Sequence, residues 1–278
     1  MILSHFQAEP LLKAHRNGTH ELVISTDLNL TTRSVTLHDT GVELAEGVQV
    51  TWAQLQSIAE DENGCFAVED GDIRKIRTFS EETNRQCSLM PTSGAPTLLL
   101  AGFPMHRIKN TDPAKDTRSK IKALGHVSGR VLDTNTGLGY TAIALSEHAA
   151  HVTTIELDPG VLEIARQNPW SAKLFDNPRI TQIIGDSYEE IAAFEDGAFD
   201  ALLHDPPTLE LAGDLYSGVF YREVYRVLRR GGRLFHYIGD PRSVHGARVT
   251  KGVIRRLGEV GFQRVQSRAD AFGVAAIK

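Results

Sequence analysis

Residues 130–140, Arg130-Val131-Leu132-Asp133-Thr134-Asn135-Thr136-Gly137-Leu138-Gly139-Tyr140, decide the fold. VLDTN reads as a short buried strand, two glycines follow at a spacing of G-x-G, and TAIALSEHA beyond them reads as a helix. A strand that turns into a helix through Gly137 and Gly139 can bring its backbone close to a ligand, because no Cβ stands in the way. The helix N-terminus aims free N–H groups at the same place. By themselves two glycines can also mark nothing more than a tight turn.

The same rhythm continues to the C-terminus. HVTTIELD, ITQIIGD, AFDALLHDPP and RLFHYIGD read as strands, PGVLEIARQN, SGVFYREVYRVLRR and GVIRRLGEVGF as helices, and VQSRADAFGVAAIK as one or two final strands. Gly231 and Gly232 are expected to end the helix before them, with Arg229 and Arg230 favoured by its dipole. Strand and helix alternating at this pitch predict an α/β fold, a doubly wound, mostly parallel sheet with helices on both faces. Such sheets bind ligands at the C-terminal ends of their strands. Glu156 ends the second strand about 20 residues after the glycine turn, the place for a carboxylate that takes two ribose hydroxyls. Asp186 ends the third and is placed to accept from an adenine amino group, with Ser187 capping the next helix; Asp186 as a plain helix cap is the competing reading. The fourth ends in His204-Asp205-Pro206-Pro207. Two prolines remove two N–H donors, so the carbonyls of His204 and Asp205 can face a substrate, and Asp205 can orient or deprotonate a nucleophile. A rigid Asp-Pro-Pro turn is the alternative. The turn has no third glycine at the dinucleotide spacing, which disfavours a pyrophosphate cofactor.

The first hundred residues read differently. ELVIST, SVTLHD, GVELAEG and CFAVEDGDIRKIRTFS are strand-like, Asp70-Gly71 suits a hairpin turn, and Leu98 to Phe103 adds a strand. Thr51 is a candidate N-cap for a helix carrying Trp52, Leu55 and Ile58. The expectation is a small β-rich N-terminal domain with one helix, residues 1–110, and a catalytic domain over 111–278. Asp112 and Pro113 would open a helix between them, closed by Gly125.

Composition narrows the classes. The 278 residues carry a formal net charge of -5, which gives no global attraction to nucleic acid or anionic membranes. No apolar run approaches a membrane span, and MILSHFQAEP does not read as a signal peptide. Cys65 and Cys87 pair only if folding brings them together, so a reducing cytoplasm is the expected compartment. The 11 histidines show no metal-ligand spacing.

At LDTNTGLGYTA, IELDP, IIGDS and LLHDPP the chain resembles class I S-adenosylmethionine-dependent methyltransferases. More narrowly it is similar to an archaeal-type group with a spermidine-synthase-like layout, through MHRIKNTDPAKDTRSK, NPWS and HDPPTLELAGDLYSGVFYREVYRVLRRGGRLFHYIGDP. The likeness runs from about Phe79 to the C-terminus. It implies a Rossmann-like seven-stranded sheet and S-adenosyl-L-methionine as cofactor. Asp133, Thr134, Thr136, Gly137, Gly139 and Tyr140 would lie under the methionine part. Glu156, with Leu157 beside it, would hold the ribose, and Asp186 and Ser187 would meet the adenine. Asp205, Pro206 and Pro207 would face the acceptor, Tyr216 would cover it, and Thr117, Arg118 and Lys120 would meet the cofactor carboxylate. His106 and Arg107 would line the cleft between the domains or cap a strand end, and His236, after the core of the fifth strand, could reach the site; the plain structural reading is preferred for each.

The expected acceptor is a small molecule. Nucleic-acid bases are disfavoured because Thr208, not an aromatic, follows Asp-Pro-Pro. No membrane partner is expected, and a homo-oligomer is compatible with the sequence. Aminopropyl transfer is the runner-up. Its synthases carry a further Asp in the glycine loop, where Asn135 and Leu138 stand here, and another three residues after the strand-end Asp, where Thr208 stands. A non-catalytic adenosyl-nucleoside-binding protein is the third reading.

Overall fold

The computed structural model describes residues 1–278. Two compact units emerge, residues 1–114 with 160–172 and residues 115–159 with 173–278.

The first unit contains β1 (Ile2–Leu3), α1 (His5–Arg16), β2 (Glu21–Ile24), β3 (Arg33–His38), β4 (Gly41–Ala45), β5 (Val48–Thr51) and α2 (Trp52–Glu60). β6 (Phe66–Glu69), β7 (Asp72–Lys75), β8 (Arg77–Ser80), β9 (Arg85–Met90), β10 (Thr97–Leu100) and β11 (Phe103–Pro104) follow. The strands form small antiparallel sheets in the orders β2-β3-β4-β5, β1-β6-β7 and β11-β10-β9-β8. Thr51 caps α2 through the Gln54 N–H, as expected. Asp70 and Gly71 both take positive φ, +50° and +83°, the geometry a two-residue hairpin needs. Helix α1 was not expected. Its interior Pro10 argues against a helix, yet Ser4 and Gln7 close a capping box and Ala8, Leu11 and Ala14 are buried. Leu11 packs with Leu3, Val35, Val42, Val50, Leu55 and Ile58 in the unit's core. Cys65 and Cys87 are both buried free thiols.

The second unit is built from α3 (Pro113–Leu124), β12 (Arg130–Asp133), α4 (Tyr140–Ser146), β13 (His151–Glu156), α5 (Pro159–Gln167), β14 (Ile180–Ile184) and α6 (Ser187–Glu190). β15 (Phe199–His204), α7 (Gly218–Val227), β16 (Leu228–Tyr237), α8 (Val244–Val260), β17 (Gln263–Arg268) and β18 (Gly273–Ile277) complete it. Of these, residues 160–172 group with the first unit; there Trp170 Nε1 donates to the Leu28 carbonyl at 2.9 Å and Thr78 Oγ1 to Glu163 Oε2 at 2.8 Å. The sheet order is β14-β13-β12-β15-β16-β18-β17, parallel except for β18, which runs antiparallel to both neighbours. The chain winds outward from β12 to β14 and then returns to lay β15 on the other side of β12. That reversal opens a crevice beyond the C-terminal ends of β12 and β15. α7 buries Phe220, Tyr221, Val224 and Val227 against a core that includes Leu132, Phe199, Leu202, Leu234 and Val253.

One boundary differs from expectation. α7 stops at Val227, and Arg229 to Gly232 belong to β16. Phe199 pairs with Leu228 and Ala201 with Arg233, so β16 bulges between them. Gly231 at φ +76° permits the bulge, and a Cβ on Gly232 would stand 2.7 Å from the Arg229 carbonyl oxygen. The Arg229 guanidinium meets the Asp200 carboxylate rather than a helix dipole.

Candidate active site

Hydrogen bonds tie the tips of β12, β13, β14 and β15 together. The Thr134 N–H donates to the Leu203 carbonyl at 3.1 Å, Thr136 N–H to the Ile155 carbonyl at 2.8 Å, and Gly185 N–H to the Glu156 carbonyl at 2.9 Å. The Ser187 hydroxyl donates to the Thr134 carbonyl. The loops carrying Gly137, Glu156, Asp186 and Asp205 therefore share one edge of the sheet.

Asp133, at the end of β12, is wholly buried. Its Oδ2 accepts from Thr141 Oγ1 at 2.8 Å and Thr154 Oγ1 at 3.3 Å, while Oδ1 has no partner. Burial drives its carboxyl up to about 7, against the pull of the Thr141 hydroxyl and with the push of the Asp205 charge. The loop beyond is held from inside: Thr136 Oγ1 pairs with Thr154 Oγ1 at 2.7 Å, and Thr134 Oγ1 with His204 Nδ1 at 2.6 Å. Tyr140 is buried as the first residue of α4. The two glycines differ. A Cβ on Gly137 would meet nothing, leaving that surface open to a ligand, whereas one on Gly139 would strike Leu174 at 2.6 Å. Gly139 thus answers to packing and its φ of +78°.

Glu156 Oε2 accepts from the Gly137 N–H at 2.7 Å and Oε1 from the Asp158 N–H at 3.1 Å. Burial raises its carboxyl to about 7, although these two N–H groups favour the anion. Leu157 beside it is 46% exposed, a large apolar side chain left at the strand tips. Asp186 is exposed and caps α6 through the Tyr188 N–H at 2.8 Å. Ser187 does not cap that helix as expected; it is the helix's first residue, and its hydroxyl goes to Thr134.

At the fourth tip, Tyr216 is buried and its hydroxyl donates to the Pro207 carbonyl at 2.9 Å, fixing the Asp205-Pro206-Pro207 turn from beneath. The His204 ring is buried and kept neutral, its pKa pushed down to about 3 by burial against the weaker pull of the Leu215 carbonyl. Its Nε2 donates to that carbonyl at 2.9 Å, so Nδ1 accepts from Thr134. Only the His204 backbone is left for a ligand. His236 is fully buried behind it and meets the Tyr221 hydroxyl at 3.0 Å, and Phe220 lies in the core.

The partner of Asp205 was not expected. Lys120 on α3, buried, places Nζ 2.6 Å from Asp205 Oδ2 and 2.9 Å from Asp116 Oδ2. Burial disfavours the ammonium, but Asp205 and Asp116 outweigh it and raise its pKa. Burial also pushes Asp205 upward, with the Lys120 charge opposing. The i,i+4 spacing of Asp116 and Lys120 is visible in the sequence; a contact spanning 85 residues is not.

The residues fit an adenosyl sulfonium on their own chemistry. An unpartnered buried carboxylate oxygen, an open glycine surface, a raised carboxyl and an exposed apolar side chain stand along one edge. A methyltransferase-domain family model matches residues 132–236. In solved structures, the spermidine synthase of Thermotoga maritima superposes with a TM-score of 0.56 at 19% identity, over 74% of each chain, a likeness of fold. The chain belongs to the class I S-adenosylmethionine-dependent methyltransferases and has a spermidine-synthase-like architecture. Within them it belongs to one family with an uncharacterised protein of Methanocaldococcus jannaschii, MJ1233, 42% identical over 94% of this chain and 90% of that one. A putrescine N-methyltransferase of Nicotiana tabacum is 29% identical over 37% of this chain and 28% of its own length.

Proposed function

We propose that this chain transfers the methyl group of S-adenosyl-L-methionine to a small acceptor bound at Asp205. The observation that carries the reading is the hydrogen-bonded edge on which Gly137, Glu156, Asp186 and Asp205 stand together. In this reading Glu156 accepts from the ribose hydroxyls, Leu157 lies against the adenine and Asp186 accepts from its amino group. Asp133, with its free Oδ1, and the open face of Gly137 take the methionine end, while Thr134, Thr136, Gly139, Tyr140, Ser187 and His204 hold that loop in shape. When bound, the cofactor supplies an electrophilic methyl group on a sulfonium.

The chain's task is then to place and desolvate a nucleophile. Asp205 Oδ1, the oxygen that Lys120 leaves, takes the acceptor's N–H or O–H and receives the proton as its lone pair forms the new bond. Pro206 and Pro207 keep backbone donors away from that nucleophile, and Tyr216 keeps the turn rigid. Incubation of the full chain with methyl-labelled S-adenosylmethionine and fractionated small metabolites tests the reading: label should move to a fraction in an Asp205-dependent way. Label confined to macromolecules would overturn it.

A further inference from the structure

The acceptor side of this site carries a cation of its own. Lys120, Asp116 and Asp205 form a triad in which one ammonium is shared by two carboxylates, with side chains 3%, 0% and 19% exposed. The ammonium also stands 4.4 Å from the centre of the Tyr237 ring. A lysine this deep persists only with its charge matched, and here it is matched by the carboxylate that faces the acceptor.

Resting on the methyl-transfer reading, we infer that Lys120 is the specificity residue of the acceptor site. Its ammonium occupies the cation subsite, so the enzyme takes a neutral N–H or O–H nucleophile and turns away diamines and polyamines. A dication needs a carboxylate for each ammonium. Both buried carboxylates at this tip are already spent on Lys120, which leaves the triad one net negative charge, presented through Asp205 Oδ1. The one other buried carboxylate that feels the Asp205 charge, Asp133, is in this reading taken by the methionine end of the cofactor. Thr208 stands three residues on, and Glu210 is exposed and engaged with His245 at 3.1 Å. One unshared carboxylate oxygen suits a neutral donor that gains positive charge as it attacks. A second full ammonium would meet the Lys120 charge at short range with little solvent between them.

Amine binding tests this. Calorimetry on the full chain would compare wild type, Lys120→Arg, Lys120→Met and Lys120→Ala, each first titrated with S-adenosylmethionine, then with n-butylammonium and putrescine. Wild type, Lys120→Arg and Lys120→Met should bind neither amine and transfer no label to putrescine. Lys120→Ala opens the subsite and exposes two unmatched carboxylates. It should bind n-butylammonium about tenfold or more tightly than wild type, the gain one desolvated charge pair supports. A purely structural lysine would lose stability on removal and gain no affinity for amines. Folded Lys120→Ala without that gain overturns the inference. So does wild type that binds or methylates putrescine, a result that stands even if the alanine variant fails to fold. Wild type that fails to bind S-adenosylmethionine at all would instead refute the methyl-transfer reading beneath it.

Discussion

Asp133→Asn should make the protein more stable and worse at binding its cofactor. Asp133 is wholly buried, with Oδ2 satisfied by Thr141 and Thr154 and Oδ1 unpartnered. Its carboxyl titrates near 7 in the fold, chiefly through burial, against 3.8 when exposed. The folded chain therefore holds this proton more tightly than the unfolded one. That stabilisation is fully present below pH 3.8 and is lost as pH rises through about 7. By pH 8 the free protein carries a buried anion, destabilised on the order of 4 kcal/mol relative to an exposed carboxylate. Asparagine keeps the shape and the acceptor for Thr141 and carries no charge. If half the cost is recovered, about 2 kcal/mol, the melting temperature at pH 8 rises by about 4–8 °C. The gap should close toward pH 5. The cofactor's ammonium would lose a charged hydrogen bond of about 1.5–3 kcal/mol, or roughly 10- to 100-fold in Kd. Melting curves from pH 5 to 8.5, with calorimetry on the same samples, read both effects. A variant that melts below wild type at pH 8, or an offset flat across that range, would refute the reasoning.

Glu156→Gln places an amide where two N–H groups now find a carboxylate, and should weaken S-adenosylmethionine binding by roughly 10- to 100-fold, read by calorimetry. Because burial lifts Glu156 to about 7, wild-type affinity should strengthen from pH 6 to 8 as the carboxylate ionises, and the glutamine variant should show a smaller slope. Asp205→Asn should leave cofactor affinity within a few-fold of wild type and cut the transfer rate by about 10²- to 10⁴-fold, measured in single turnovers. Tyr216→Phe removes the donor to the Pro207 carbonyl, worth about 1 kcal/mol; the transfer rate should fall several-fold while the cofactor Kd holds.

Much of the second unit was legible because its signals are local. VLDTN, HVTTIELD, ITQIIGD and AFDALLHDPP each carry, within their last four residues, the acidic residue that stands at the strand tip, and parallel strands carry those tips to one edge whatever the helices between them do. What failed had a competing local signal. Pro10 hid α1, although Ser4 and Gln7 spelled its cap. Arg229-Arg230-Gly231-Gly232 read as a helix end, and only the register between β15 and β16 reveals the bulge. Ser187 resembles a cap as closely as Asp186 does; the choice depends on a hydroxyl reaching Thr134, 53 residues away. The pairing of Lys120 with Asp205 depends on tertiary placement in the same way. Gly139 shows that a ligand-loop motif can owe one of its glycines to a neighbour, here Leu174.

Calorimetric titration of the folded chain with S-adenosylmethionine and, separately, with its decarboxylated form bears on the whole account at once. Saturable binding of the carboxylated cofactor, tighter than that of the decarboxylated one and lost together with Asp133 and Glu156, is the expected result. Indifference to both compounds, or preference for the decarboxylated form, would contradict it.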